Sequence, residues 1–112
     1  MRQISYRFFL LPLLLVLACA GAFAQANSDV TGIVTDQTGA VVAGANVTLS
    51  DPSSGFTRDT VSGPTGLYEF GGLNPGNYNL KVTAKGFEAF QQTAIVVNVS
   101  GTFRVDVKLT LG

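Results

Sequence analysis

The groups in this sequence that can do chemistry are few and scattered. Past the first two dozen residues the acids are Asp29, Asp36, Asp51, Asp59, Glu69, Glu88 and Asp106, and the bases are Arg58, Lys81, Lys85, Arg104 and Lys108. Five positive charges against seven negative leave residues 25–112 at a net −2. A bound metal asks for His, Cys or clustered acids at ligand spacing. The chain has no His, and its one Cys is Cys19. Asp36, Asp51 and Asp59 stand apart, beside Gly, Pro and Ser, where a carboxylate closes a turn. A nucleophilic Ser or Thr asks for an adjacent base, and no Lys or carboxylate here falls in such a pattern. The basic residues form no stripe of the kind that tracks a nucleic-acid backbone. The expectation is a protein that is not an enzyme, with no metal, no cofactor and no nucleic-acid partner.

One ligand class fits what remains. Sugar sites use exposed aromatic rings beside polar groups. Of Phe56, Tyr68, Phe70, Tyr78, Phe87, Phe90 and Phe103, most fall at alternating positions, the signature of a core. Phe56 and Phe90 are the least constrained, which makes them the candidate glycan contacts.

The elements that must carry these residues are strands. Val, Thr, Phe and Tyr dominate, punctuated by Gly, a strand-and-turn composition. No window repeats an apolar residue at helical spacing. From Asn77 to Lys85, Tyr78, Leu80, Val82 and Ala84 alternate with Asn77, Asn79, Lys81, Thr83 and Lys85. Near the C-terminus Phe103, Val105, Val107, Leu109 and Leu111 alternate in the same way. Strict alternation places one face on a core and the other in water, as in antiparallel sheets. Weaker strands are expected at Asp29–Thr35, Ala45–Ser50, Phe56–Val61, Leu67–Phe70 and Ala89–Val99, the last broken near Thr93. Turns carrying Gly, Pro or Asp separate them. Seven short strands with turns between them predict an all-β, Greek-key sandwich.

The N-terminus reads differently. Arg2 and Arg7 precede the apolar run Phe8–Leu17, and Ala22-Phe23-Ala24 fits the small-x-small site of a signal peptidase. Residues 1–24 are expected to be a helical signal peptide, and residues 25–112, from Gln25, the exported domain. A membrane anchor is the competing reading, but the stretch from Phe8 to Ala24 is only about 17 residues and contains Pro12. A second alternative is lipoprotein processing at Leu17-Ala18-Cys19, with a lipid on Cys19. The signal or that lipid is the only membrane contact expected. The expected location is the periplasm, outer membrane or cell surface. Two sequons, Asn46-Val47-Thr48 and Asn98-Val99-Ser100, matter only in a eukaryotic secretory pathway.

Five short motifs in order carry a resemblance. They are Gly32–Asp36, Gly39–Leu49 with Gly44, Gly66-Leu67-Tyr68-Glu69-Phe70, Leu73-Asn74-Pro75-Gly76-Asn77-Tyr78, and Ala84-Lys85-Gly86-Phe87. Together they resemble the carboxypeptidase regulatory-like domain, whose fold is a transthyretin-like or carbohydrate-binding-like seven-stranded sandwich. The variant at the N-terminus of bacterial TonB-dependent outer-membrane receptors is the most similar. The resemblance implies an accessory or interaction module of the cell envelope, without the plug and barrel of those receptors. Its partner would be an envelope protein or a glycan, and a carbohydrate-binding module is the alternative function. The motif residues read as structural: Gly32 for close packing, Asp36 and Gly39 for a turn, Tyr68 and Phe70 for the core. Gly76 and Gly86 are expected at positive φ, ahead of Tyr78 and Phe87. Where the family often has Thr-Asp before Gly66, this chain has Ser62-Gly63, so that hairpin is expected to be looser, with Pro64 stiffening it. Similar sandwiches in surface adhesins form Lys–Asn crosslinks, but Asp29–Thr35 holds no Lys and no crosslink is expected.

Overall fold

A computed structural model describes residues 27–112. The expected signal peptide, its site at Ala22, Ala24 and Gln25, and Cys19 lie outside the described residues. The described chain is all-β, with strands β1 (Ser28–Thr35), β2 (Asn46–Asp51), β3 (Phe56–Val61), β4 (Leu67–Leu73), β5 (Gly76–Thr83), β6 (Phe90–Val97), β7 (Thr102–Arg104) and β8 (Val107–Lys108). Two sheets face each other. One has the order β4-β1-β7, with β8 also on β1; the other has the order β3-β2-β5-β6.

The period of two decides which residues meet between the sheets. Val30 and Val34 of β1, Tyr68, Phe70 and Leu73 of β4, and Val107 point inward from the first sheet; all are buried. Val47 and Leu49 of β2, Tyr78, Leu80 and Val82 of β5, and Ile95 and Val97 of β6 answer from the second. A fully buried side chain of this kind contributes about 1.5–3 kcal/mol. This one core holds a sandwich that has no disulfide available. β3, by contrast, buries none of its side chains fully; it is an edge strand whose polar residues face water on both sides.

The structure departs from the sequence reading in three places. The C-terminal strand pairs with β1 in parallel, not antiparallel, and divides into β7 and β8. Its register on β1 is the same on both sides of the break: Thr31 faces Arg104 and Val34 faces Val107. At the break Val105 gives its carbonyl to the Tyr68 hydroxyl, and the Asp106 carboxylate takes the Ile33 amide at 3.0 Å. The Val105 amide still donates to the Thr31 carbonyl, and these two side chains take up the rest of the pairing there. Leu111, expected inward, is exposed. Second, residues 62–66 link β3 to β4 across the two sheets, so they form a crossover and not a hairpin. The Ser62 hydroxyl fastens it, accepting from the Ala45 amide at 2.9 Å and donating to the Val42 carbonyl at 2.8 Å. Third, Gly76 does not have positive φ; Gly72 does, at +66°.

Candidate binding groove on the outer face of the β3-β2-β5-β6 sheet

The outward residues of β5 are Asn77, Asn79 and Lys81, because Tyr78, Leu80 and Val82 point into the core. The strand order places β2 on one side of them and β6 on the other. Lys81 therefore lies across from Thr48 and from Gln91, and Asn79 across from Ser50. These side chains line a groove of about 190 Å³ together with Thr93. At Asn79 it meets a larger groove, of about 610 Å³, walled by Asp51, Pro52 and Ser53 on one side and by Pro75, Gly76, Asn77 and Ala94 on the other. Half of the lining residues carry an amide or a hydroxyl (Thr48, Ser50, Ser53, Asn77, Asn79, Gln91 and Thr93); its charged members are Asp51 and Lys81.

A β-bulge shapes the junction. Tyr78 faces Ile95 and Leu80 faces Gln92, so the single residue Asn79 is opposed by two, Thr93 and Ala94. Ala94 is held at φ +57°, a left-handed conformation that costs an L-residue about 1–2 kcal/mol. Bulges bend a strand and re-aim side chains. Here the bulge places Ala94 across from Asn79, on the groove wall. The strand break expected near Thr93 is this bulge.

Local hydrogen bonds fix the walls. Asp51 closes its turn by accepting from the Ser53 amide at 3.0 Å and the Ser53 hydroxyl at 2.7 Å. Those bonds, the hydroxyl's foremost, hold its carboxyl below the usual carboxylate range. Its other oxygen is turned toward Gly76, where a Cβ would stand 3.3 Å away. Gly76 therefore serves space and not a positive φ. On the opposite wall the Tyr78 hydroxyl donates to the Asn74 carbonyl at 2.6 Å, tying the Pro75-Gly76 bend to the strand it feeds, much as a tyrosine corner does. Burial raises the Tyr78 phenol above its ordinary value; the Asp51 charge adds to this and Arg58 opposes it.

The motif residues mostly serve the fold. Gly32 lies opposite Tyr68, and a Cβ on it would meet the Val105 carbonyl oxygen at 1.9 Å. Asp36 caps its own turn through the Thr38 and Ala40 amides, with Gly39 in that turn at φ +88°. Gly66 combines φ +79° with a carbonyl 2.7 Å from its missing Cβ. Gly44 and Gly86 have positive φ, and Phe87 is half-buried, bridged to Leu111. Tyr68, Phe70, Leu73 and Tyr78 are core. Pro75 and Gly76 alone of this set also line the groove. Asp59, the third turn candidate, instead accepts from Thr48 across the β2–β3 ladder.

The two candidate glycan contacts sit elsewhere than expected. Phe56 is half-buried, its ring edge-on to Tyr78 with centroids 5.6 Å apart. The Arg58 guanidinium covers it at 5.2 Å, while also donating to the Gly71 carbonyl. Phe90 is half-buried against the core. Neither ring stands clear as a platform, and neither lines the groove. Asn77, Asn79, Gln91 and Thr93 were not singled out by sequence as candidate contacts. The two amides at alternate outward positions of β5 were the available signal.

Residues 29–110 match the family model described as the carboxypeptidase regulatory-like domain. A TonB-dependent transporter, Oar, of Myxococcus xanthus is 28% identical over 90 residues, which is 80% of this chain and 8% of the transporter. The chain thus spans a small part of that relative. An uncharacterised Mycobacterium tuberculosis protein, Rv0814c, is 33% identical over 86 residues, 77% of this chain and 83% of its own length. Among solved structures the Bacillus anthracis TIE protein superposes with a TM-score of 0.63 at 18% identity, over 77% of this chain and 17% of that one. That last likeness is one of fold. The family model covers the sandwich from β1 to beyond β8, and the chain belongs to the carboxypeptidase regulatory-like domain family.

Proposed function

We propose that this chain is a noncatalytic, exported β-sandwich module of the cell envelope that works by holding a partner. The observation that carries this reading is the outer-face groove. Its lining offers hydrogen bonds in quantity, while its one carboxylate is tied into a turn by Ser53. A general base needs to reach a reacting proton, and a nucleophile needs a base beside it; the hydroxyl–carboxylate pair that the groove holds, Ser53 and Asp51, is engaged in closing its own turn. Groups of this kind bind and orient. The likeness to a TonB-dependent transporter and the signal-like residues 1–24 support an envelope location.

Fractionation and intact mass test the reading. The full-length gene, expressed in a bacterial host with a C-terminal tag, should yield protein in the envelope fraction with its N-terminus at Gln25. Cytoplasmic protein retaining Met1 would refute export. A product beginning at a lipid-bearing Cys19 would replace the free module with a membrane-tethered one.

A further inference from the structure

We propose that the groove centred on Asn79 binds an uncharged, extended polysaccharide strand. This deepens the function proposed above and rests on its reading of the chain as a binding module. Asn77, Asn79 and Gln91 supply the recognition. A carboxamide carries a donor and an acceptor on one plane, the pairing that two neighbouring ring hydroxyls present. Three amides project from the adjacent strands β5 and β6 onto one face, with the Thr93 hydroxyl beside them on β6 and the Ser50 hydroxyl flanking Asn79 on β2.

Other ligand classes fit less well. An anionic strand needs clustered Arg or Lys, and the groove sets the single Lys81 against Asp51, of opposite sign. An added peptide strand needs a regular free edge and pockets for side chains. β6 is the edge here, and the Thr93–Ala94 bulge interrupts it at the groove. The bulge also shapes the wall of the groove. A non-glycine residue kept at positive φ is a strain that persists only where its surroundings impose it, and such strain clusters at binding sites. Ala94 holds this strain on the groove wall, opposite Asn79. From Asn77 to Lys81 the strand runs about 13 Å, longer than one sugar ring. The site should therefore favour oligomers over monosaccharides. With no aromatic platform in its lining, affinity should come from hydrogen bonds and fall sharply when one amide is lost.

The test is calorimetric titration of the exported full chain with cellohexaose and with chitohexaose. Glucose serves as the monomer control and hexagalacturonate as the anionic one. A saturable heat with a neutral hexasaccharide, absent with glucose, is expected. N79A should weaken it about tenfold, the effect of one well-made hydrogen bond, and Q91A should weaken it in the same direction. E69Q, on the opposite sheet, should bind like the parent. Thermal melts of each variant separate lost contacts from lost folding. No saturable heat with either hexasaccharide overturns the assignment and leaves the binding-module reading with a protein partner. Binding that survives both N79A and Q91A, or that prefers hexagalacturonate, also overturns it. Shortening of the bound hexasaccharide, followed by chromatography, would uphold the groove and sink the noncatalytic reading.

Discussion

Gly32→Ala adds one methyl group to the middle of β1, and the structure predicts that it is among the most damaging small changes available. Gly32 has no positive φ, so its backbone would accept alanine. In an open strand the exchange stabilises, by about 0.4–1 kcal/mol, through the unfolded chain. Here the new Cβ would stand 1.9 Å from the Val105 carbonyl oxygen and 2.8 Å from the Tyr68 ring. Reaching even 3.0 Å from the oxygen requires a displacement of 1.1 Å, and the obstacle is backbone. Moving Val105 strains two bonds at once: its amide donates to the Thr31 carbonyl at 2.8 Å, and its carbonyl accepts from the Tyr68 hydroxyl. Each contributes about 1 kcal/mol. Forcing a methyl into a packed site costs about 1–3 kcal/mol more. Set against the entropic gain, the net loss is about 2–4 kcal/mol. At about 4–8 °C per kcal/mol for a domain of this size, melting should fall on the order of 10–30 °C. Gly39→Ala is the control. Its φ is +88° with nothing within 4 Å, so only the backbone strain of a left-handed L-residue applies, about 1–2 kcal/mol. The check is calorimetric melting of both variants beside the parent. If Gly32→Ala melts within a degree or two of the parent, or above it, the argument from the Val105 contact is wrong.

Three further outcomes follow from the same contacts. Ser62→Ala removes a buried hydroxyl that satisfies both the Ala45 amide and the Val42 carbonyl; urea melts should show a loss of about 1–3 kcal/mol, although only one oxygen atom is deleted. Tyr78→Ala should cost about 3–5 kcal/mol by leaving a core cavity. Tyr78→Phe, which loses only the bond to Asn74, should cost about 0.5–1.5 kcal/mol; equal losses for the two would show that the ring is not the anchor. Asp36, Asp51 and Asp106 all have carboxyls held below their ordinary value of 3.8, by Thr38, by Ser53, and by the Ile33 amide with Arg104. For depressed carboxyls the unfolded chain binds protons first as pH falls, so their contribution is complete above about pH 5 and is lost below about pH 4. Urea midpoints measured from pH 2 to 7 should be flat at the upper end and drop at the lower; an acid limb beginning near pH 6 would point to other groups.

How much of this was legible in the residues depends on whether the information was local. The alternation of β5 named Tyr78, Leu80 and Val82 as core and Asn77, Asn79 and Lys81 as surface, and the structure agrees. The Asp36 turn was equally local. Partners across the sheet were not. A period of two in Phe103–Leu111 states that one face is covered, but it carries no sign of strand direction, and β7 and β8 run parallel to β1. Ser62 looked like the substitute for a missing turn residue; its importance comes from Val42 and Ala45, 20 and 17 residues away. Gly76 was expected at positive φ because Pro-Gly commonly turns that way. Gly72 has the positive φ instead, and the Tyr78 hydroxyl braces the bend from within. The groove was hidden for the same reason as the strand direction. Its amides sit on β5 and β6 and its hydroxyls partly on β2, three strands that only the pairing order brings together. Aromatic content drew attention to Phe56 and Phe90, yet aromatic rings are also what a small core most needs, and both are drawn toward it.

With the proposed site on its outward face, β5 separates stability from binding. Inward, Tyr78 joins Phe56, Leu80 and the rest of the core. Outward, the adjacent residues Asn77 and Asn79 line the groove. Loss of an inward residue removes close-packed contacts that nothing replaces. Loss of an outward amide exchanges one hydrogen-bonding surface for water, with a stability change within about 0.5 kcal/mol. Asn79→Ala should therefore melt like the parent, whereas Tyr78→Ala, one residue away, should not. Between them stands the Leu73–Tyr78 bend, which takes part in both. Its Leu73 and Tyr78 side chains are buried, while Pro75 and Gly76 form the groove wall beside Asp51. A bulky residue at Gly76 would press on the Asp51 carboxylate at 3.3 Å and on the Tyr78 ring at 3.6 Å. The damage there should reach both sides of the sheet. Sites that share a contact in this way do not combine additively. Gly76→Val paired with Asn79→Ala should thus show coupling in ligand affinity, measured as a double-mutant cycle, while Gly32→Ala paired with Asn79→Ala should not, because Gly32 lies on the other sheet.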